Sequence, residues 1–218
     1  THRVRKTPIS EAAIIGAAVG AAIAGYKPVA EIMIMDFIAV CLDQITNHAA
    51  KIRYMSGGQT TVPMVIRTSA GAGRQFGAQH SEMLEAWAVH TPGLKVVVPS
   101  NPADAKGLLI SSIFDPDPVL FVEPMLMYWD PQYACDVPVG DNRIPLGKAN
   151  IVREGKDVTV ISYGKQVHDA VKAADILAGE GVSVEVIDLR TLVPLDEATV
   201  LASVSKTKRA VVVHEAVT

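Results

Sequence analysis

The stretch that decides the fold is residues 7–25, TPISEAAIIGAAVGAAIAG. Pro8 suits the turn into a helix and Ser10 can cap it, so the pattern predicts a helix that begins near Glu11. Residues 12–25 carry no charge, which predicts a buried helix. The carboxylate of Glu11 therefore lies at the N-terminus of an apolar helix. Partial desolvation of a carboxyl group at such a position suits it to proton transfer. The alternative is that Glu11 only complements the positive end of the helix dipole.

Downstream of this helix, short apolar segments alternate with helical segments. The pattern predicts helices at 38–51, 81–89 and 102–114, and strands at 29–34, 62–67, 94–98 and 119–123. Such an alternation indicates a parallel sheet that is covered by helices on both faces.

A Pro-containing linker with aromatic residues, between 124 and 145, separates this region from a second α/β pattern. The second pattern predicts helices at 166–178 and 196–205, and strands at 148–153, 157–162, 182–187 and 209–214. The predicted fold class is therefore α/β, with a parallel-sheet domain at residues 1–138 and a smaller open α/β domain at 139–218. We expect both domains to be incomplete at the chain ends, because the chain begins without Met and ends just after an apolar strand.

Composition narrows the function classes. The chain has 218 residues, of which 49% are hydrophobic and 20% charged, with a net charge of −3. This balance is typical of a compact protein and gives no electrostatic footprint for nucleic acid. The uncharged run is shorter than the roughly 18 residues that span a membrane, so we expect no membrane segment. Cys41 and Cys135 are too far apart in sequence to indicate a zinc site or a disulfide framework.

His80 is the histidine most suited to chemistry, because it lies in an irregular loop that follows a strand and precedes a helix. Open α/β sheets bind ligands beyond the carboxyl ends of their strands, although His80 could instead cap the next helix. The Gly-rich loop at 69–74 matches neither GxGxxG nor a Walker motif, and the chain has no GxSxG elbow. The turn at 115–118, DPDP, offers oxygen ligands or simply a rigid connector.

Several separated motifs then occur in one order along the chain: TPISE at 7–11, DQI at 43–45, RYMSGG at 53–58, AQHS at 78–81, HTPGLKVVVP at 90–99, DAKGLL at 104–109 and IDLRTLVPLD at 187–196. On these motifs the chain resembles the beta subunit of thiamine diphosphate-dependent 2-oxo acid dehydrogenases, of the pyruvate and acetoin type, within the transketolase-like family. The resemblance covers all 218 residues. It implies a pyrimidine-binding domain followed by a transketolase-like C-terminal domain.

The resemblance also implies roles for individual residues. Glu11 would hydrogen-bond a ring nitrogen of the aminopyrimidine and so promote loss of the thiazolium proton. Met33 and Phe37 would pack on that ring. His80 would face the substrate channel and act during acyl transfer to lipoamide. A structural potassium ion would be held, mostly through backbone carbonyls, by Met64, Ser112, Ile113, Asp115 and Asp117.

The resemblance further implies that the cofactor site is shared with a partner. Family members bind the pyrophosphate and Mg²⁺ through a GDG motif on an alpha subunit, whereas this chain has only Gly140-Asp141-Asn142, in the linker. We therefore expect half a site, an α2β2 heterotetramer and association with a lipoyl acyltransferase core. The implied location is the cytoplasm of a bacterium, or the mitochondrial matrix or plastid of a eukaryote.

The implied reaction is the oxidative decarboxylation of pyruvate, a small 2-oxo acid, with acyl transfer to lipoamide. Residues 35–41, MDFIAVC, lean toward acetoin-type members. An acetoin or a branched-chain 2-oxo acid dehydrogenase beta subunit therefore stays open as an alternative. A non-catalytic paralogue that serves only as an assembly scaffold is an alternative of a different class.

Overall fold

Two sheets organise the chain, and the computed structural model describes them within residues 2–216. The first sheet contains β1 (Val29–Ile34), β2 (Val65–Ala70), β3 (Lys95–Val97), β4 (Val119–Pro124) and β8 (Thr191–Val193), in the order β1-β2-β4-β3-β8. All the pairings among β1 to β4 are parallel, and β8 pairs antiparallel with β3. The carboxyl ends of β1, β2 and β4 therefore meet at one edge of this sheet.

Helices cover both faces of the first sheet, as the alternating pattern predicts. The main core packs α1 (Glu11–Ile23) and the segment 35–50 against one face of the sheet, with α3 (Glu85–Val89) beside them. A smaller core packs α4 (Pro102–Phe114) against the other face. A short helix, α2 (Ile52–Met55), follows the segment 35–50 along the chain.

The second sheet is smaller and has one antiparallel edge. It contains β5 (Asn150–Arg153), β6 (Val158–Ser162), β7 (Val184–Asp188) and β9 (Ala210–Val212), in the order β5-β7-β6-β9, with β5 antiparallel to β7. Helices α5 (Gln166–Gly179) and α6 (Glu197–Thr207) cover its two faces. The predicted α/β class, with two parallel-dominated sheets, is confirmed.

The segment predicted as a helix at 38–51 is helical, but it is not one regular α-helix. A 3₁₀ helix spans Met35–Cys41 and a π-helical turn spans Gln44–Ala49. The hydroxyl of Thr46 donates to the carbonyl of Leu42 at 2.9 Å, a local bond of the type that bends helices.

Two further boundaries differ because local groups bond elsewhere. Of the predicted helix at 81–89 only Glu85–Val89 is α-helical, since the hydroxyl of Ser81 bonds the carbonyl of Gly77 and the amide of Leu84 donates to Met35 Sδ. The strand predicted at 62–67 begins only at Val65, because Pro63 has no amide hydrogen for a ladder.

Helix α1 is buried on one face only, so the prediction of a buried helix is correct for that face and not for the other. Ile15, Val19 and Ala22 are buried, whereas 46% of Ile23 is exposed. Ser10 occupies the N-cap position, yet its side chain makes no capping hydrogen bond to the described backbone. Within residues 2–216 no helix is both long enough and apolar enough to cross a bilayer.

The strand β8 was not predicted, and it joins the two halves of the chain. It follows β7 of the second sheet directly but pairs with β3 of the first. Beside it, the guanidinium of Arg190 makes two hydrogen bonds of 2.8 Å to the carboxylate of Asp104 on α4. The second half of the chain thus contributes a strand, β8, to the first sheet. The predicted domain boundary after residue 138 stays a prediction.

Candidate active site

The rings of Phe37 and His80 meet at the carboxyl edge of the first sheet. Strand β1 leads into the 3₁₀ helix that carries Phe37, and the neighbouring strand β2 leads into the loop that carries His80. The two ring centroids lie 5.1 Å apart, with the planes at 82°. This edge-to-face contact holds together two candidate residues that are 43 positions apart in the sequence.

Glu11 and Met33 line a second feature of this edge, a cleft of about 170 Å³. Three isoleucines, Ile9, Ile14 and Ile32, and a second acidic residue, Glu31, also line this cleft. Within residues 2–216 no hydrogen bond or ion pair engages the Glu11 carboxylate. The exposed fraction of Met33 is 60%. Glu11 is thus a half-buried acid at an open, largely apolar cleft, with its oxygens available to a ligand.

The Glu11 cleft and the Phe37–His80 pair are neighbours. Cys41 lies at the end of the 3₁₀ helix that carries Phe37, and the pKa of its thiol is raised to about 11, mainly by burial and next by the nearby charge of Glu11. Ile14, from the cleft, packs with Phe37 against the same core. The structure therefore brings four of the predicted residues, Glu11, Met33, Phe37 and His80, to one region.

An aminopyrimidine fits what these residues offer. The unengaged carboxylate of Glu11 can accept or donate a hydrogen bond to a ring nitrogen, and Met33 and Phe37 supply apolar and aromatic contact. In the described part of the chain no three His, Cys, Asp or Glu side chains gather around a common point. In the linker, Asp141 is paired with Arg143 at 3.0 Å.

The residues of the predicted potassium site lie around the loop between α4 and β4. The Asp115 carboxylate accepts two hydrogen bonds from Lys95 Nζ, at 2.7 and 2.6 Å, and Asp117 accepts one from Arg53. Both carboxylates are therefore balanced by cations, which leaves backbone carbonyls as the available ligands.

Two of those carbonyls already accept a backbone hydrogen bond. The carbonyl of Ser112 accepts the amide of Asp115 at 3.3 Å, and that of Met64 accepts the amide of Val119 at 3.0 Å. Each keeps a second lone pair. Ile113 packs against the smaller core beside them. Potassium binding by these residues stays a prediction.

A charged network beside Met33 was missed at the sequence level. The Arg67 guanidinium donates to both oxygens of Glu123, at 2.6 and 2.9 Å, and the Tyr128 hydroxyl donates to the same carboxylate at 2.9 Å. Burial, followed by the nearby Glu123 charge, raises the pKa of Tyr128 well above its usual range. The available signal was the presence of Arg67 and Glu123 inside otherwise apolar predicted strands.

An acid, an aromatic ring and a histidine thus lie together at the carboxyl edge of a parallel α/β sheet. The chain belongs to the transketolase family: residues 1–129 match its pyrimidine-binding domain and residues 147–218 match its C-terminal domain.

Named relatives are similar over nearly the whole chain. The beta subunit of acetoin:2,6-dichlorophenolindophenol oxidoreductase of Cupriavidus necator is 55% identical, over 98% of this chain and 62% of that protein. The mitochondrial pyruvate dehydrogenase E1 component subunit beta-2 of rice, Oryza sativa subsp. japonica, is 51% identical, over 98% of this chain and 57% of that protein. The chain thus spans about three fifths of the length of these relatives.

A solved structure has the same fold. It is titled "Split gene transketolase, inactive beta4 tetramer", is 25% identical and superposes with a TM-score of 0.77, over 95% of this chain and 64% of that one. The transketolase-like architecture inferred from the motifs is therefore confirmed.

Proposed function

We propose that this chain belongs to the beta subunit of a thiamine diphosphate-dependent 2-oxo acid dehydrogenase. With an alpha subunit it would catalyse the oxidative decarboxylation of pyruvate and acyl transfer to lipoamide. The observation that carries this proposal is the position of the Glu11 carboxylate, which no residue within 2–216 engages, in a cleft shared with Met33 and beside the Phe37–His80 pair. The similarity to the rice pyruvate dehydrogenase beta subunit supports it.

Thiamine diphosphate, when bound, supplies an electron sink for the carbon that loses carbon dioxide. Glu11 holds a proton at the pyrimidine ring nitrogen, which is the task of a carboxyl group placed partly out of water. Met33 and Phe37 orient the ring by packing on it. His80, held by Phe37, presents an imidazole that can donate or accept a proton at the substrate side.

The remaining half of the site would come from the alpha subunit, which supplies the Mg²⁺ and diphosphate ligands. Two observations support this partnership. In the described residues no carboxylate cluster suits Mg²⁺, and the relative of known structure is, by its title, inactive as a beta4 tetramer. The expected assembly is an α2β2 heterotetramer that docks on a lipoyl acyltransferase core. We place it in the cytoplasm of a bacterium, or in the mitochondrial matrix or plastid of a eukaryote.

Acetoin is the second candidate substrate. The relative at 55% identity is named for acetoin, and the segment Met35–Cys41, which carries Phe37, has the sequence that suggested this branch. Both candidates deliver a two-carbon fragment to the same cofactor, so one site serves either.

The proposal is tested by reconstituting the full-length chain with an alpha subunit and adding thiamine diphosphate and Mg²⁺. Reduction of 2,6-dichlorophenolindophenol is followed with pyruvate, acetoin and a branched-chain 2-oxo acid in turn. Turnover with pyruvate supports the main proposal, and turnover with acetoin alone supports the second candidate. A well-assembled complex that turns over none of the three would show that the chain is a scaffold.

A further inference from the structure

The loop that carries His80 has little regular structure of its own. It runs from Gly71 to Leu84, between β2 and α3, and contains one 3₁₀ turn, Ala78–His80. We call residues 71–84 the His80 loop. Four of its residues have positive φ, and only one of them, Gln75, is not glycine. A loop with so little regular structure depends on contacts with the rest of the chain for its position.

The second half of the chain contacts the loop at both of its ends. At the start, the amide of Ala72 donates to the Glu215 carboxylate, and a Cβ added at Gly71 would lie 3.1 Å from Glu215 Oε1. Just after its end, the hydroxyl of Tyr163 donates to Glu85 Oε1 at 2.6 Å. Glu85 is only 2% exposed, and its other oxygen has no partner among residues 2–216. The Tyr163 hydroxyl is therefore the one donor that this buried acid has in the described chain.

Tyr163 and Glu215 both lie at one end of the second sheet. Tyr163 follows β6 and Glu215 lies shortly after β9, and these strands are parallel neighbours in the second sheet. The hydroxyl of Ser162 donates to the carbonyl of Val213 at 2.9 Å, which joins the two strand ends. The His214 ring stacks on Tyr163, with centroids 6.3 Å apart and planes at 9°. Both contacts to the loop thus arise from one sheet edge.

Between these two ends, the loop touches the candidate active site. His80 contacts Phe37, and the amide of Leu84 donates to Met35 Sδ at 3.4 Å. The loop is therefore bonded near both ends to the second half of the chain, and between those bonds it contacts the segment that carries Phe37.

We propose that Tyr163 and Glu215 are positioning residues: through Glu85 and Ala72 they hold the two ends of the His80 loop and so place His80 against Phe37. The restraint on the loop stands on the contacts alone, and its effect on acyl transfer rests on the proposed function. Burial, followed by the bond to Glu85, raises the pKa of Tyr163 well above its usual range, so its hydroxyl remains a donor.

The first test measures amide hydrogen exchange in the full-length chain. Tyr163→Phe removes the donor but keeps the ring that stacks on His214. Loss of a hydrogen bond to a buried carboxylate predicts that peptides covering 71–84 exchange at least about tenfold faster. The control is Tyr133→Phe, at a buried tyrosine that also meets a histidine ring, His168 at 4.8 Å. Exchange that is the same in wild type and in Tyr163→Phe would overturn the proposal.

Glu215→Gln tests the other end of the loop without depending on Tyr163. It weakens the acceptor for the Ala72 amide, so faster exchange is expected at the start of the loop and little change at α3. Glu85→Gln keeps an acceptor oxygen for Tyr163, so it should disturb the loop less than Tyr163→Phe. Equal amide exchange at residue 72 in wild type and in Glu215→Gln would show that Glu215 does not restrain the start of the His80 loop.

The second test asks whether Tyr163 acts through His80. In the reconstituted enzyme, Tyr163→Phe should lower kcat for acyl transfer to lipoamide about tenfold and leave KM for the 2-oxo acid unchanged. In a His80→Ala background the same substitution should cause no further loss. Additive losses would assign Tyr163 a merely structural role. Faster exchange in a complex without any turnover would instead refute the proposed function and leave the loop restraint intact.

Discussion

Phe37 and His80 touch edge to face, with ring centroids 5.1 Å apart. The contact joins the segment that leaves β1 to the loop that leaves β2, and these two strands are parallel neighbours. The ring that we propose to pack on the cofactor and the histidine that we propose to face the substrate therefore lie in direct contact.

Replacing Phe37 with Leu removes this contact and keeps an apolar side chain. Aromatic pairs contribute about 0.5–1.5 kcal/mol beyond their buried area, so acyl transfer in the reconstituted enzyme should slow by about two- to tenfold. Single-turnover transfer to lipoamide measures the effect. Phe114→Leu, at a half-exposed ring on α4 that contacts Arg143, is the matched control. Equal rates in the two variants would contradict the role assigned to Phe37.

Replacing Glu11 with Gln preserves its shape and removes its exchangeable carboxyl proton. General acid–base groups contribute about 10²–10⁴-fold, so exchange of the cofactor's thiazolium proton into deuterated water should slow by about that factor, with little change in cofactor affinity. If the exchange rate stays within about twofold of wild type, Glu11 serves only as a helix-terminal charge.

The isolated full-length chain should bind thiamine diphosphate and Mg²⁺ only weakly, because Mg²⁺ needs carboxylate and phosphate oxygens together. Titration calorimetry measures this directly, first with the chain alone and then with the alpha subunit added. A tight, magnesium-dependent site in the chain alone would disprove the half-site proposal.

The ion pair of Arg190 with Asp104 should stabilise the contact between the two halves of the chain. Asp104 is 5% exposed, so Arg190→Ala leaves a buried charge unpaired and should lower the free energy of unfolding by about 3–5 kcal/mol. Arg143→Ala breaks an exposed pair with Asp141 and should cost less than about 1 kcal/mol. Denaturant melts of both variants make the comparison, and equal losses would show that burial of the pair is irrelevant.

Asp188 should make stability depend on pH. Burial is the main cause that raises its pKa from 3.8 to about 6. A raised folded-state pKa means that the folded chain binds the extra proton more tightly. The contribution of Asp188 to the free energy of unfolding is therefore complete below about pH 4 and is lost as the pH rises through about 6. The total loss is up to about 3 kcal/mol.

The measurement compares the free energy of unfolding at pH 4.5 and pH 7.5 in wild type, Asp188→Asn and the exposed control Asp136→Asn. Asp188→Asn should gain stability relative to wild type as the pH rises, because it carries no carboxyl group at that position. A constant difference between Asp188→Asn and wild type across this range would refute the assignment.

Local patterns predicted much of the first sheet. The bounds of β1 and α4 agree with the predicted segments 29–34 and 102–114, because runs of β-branched residues, an N-cap at Asn101 and a Pro at the first turn act within a few residues. The segment after β1 was predicted less well, since side-chain bonds such as that of Thr46 compete with regular helix.

The sequence by itself determined the α/β class, the position of Glu11 at the start of an apolar helix, and the motifs that carry the family resemblance. Each of these depends on neighbours along the chain. Only the tertiary structure decided that His80 meets Phe37, that β8 joins the first sheet, and that Tyr163 bonds Glu85 across 78 positions. Such contacts depend on which strand ends become neighbours once the sheets form, and no local pattern specifies that pairing.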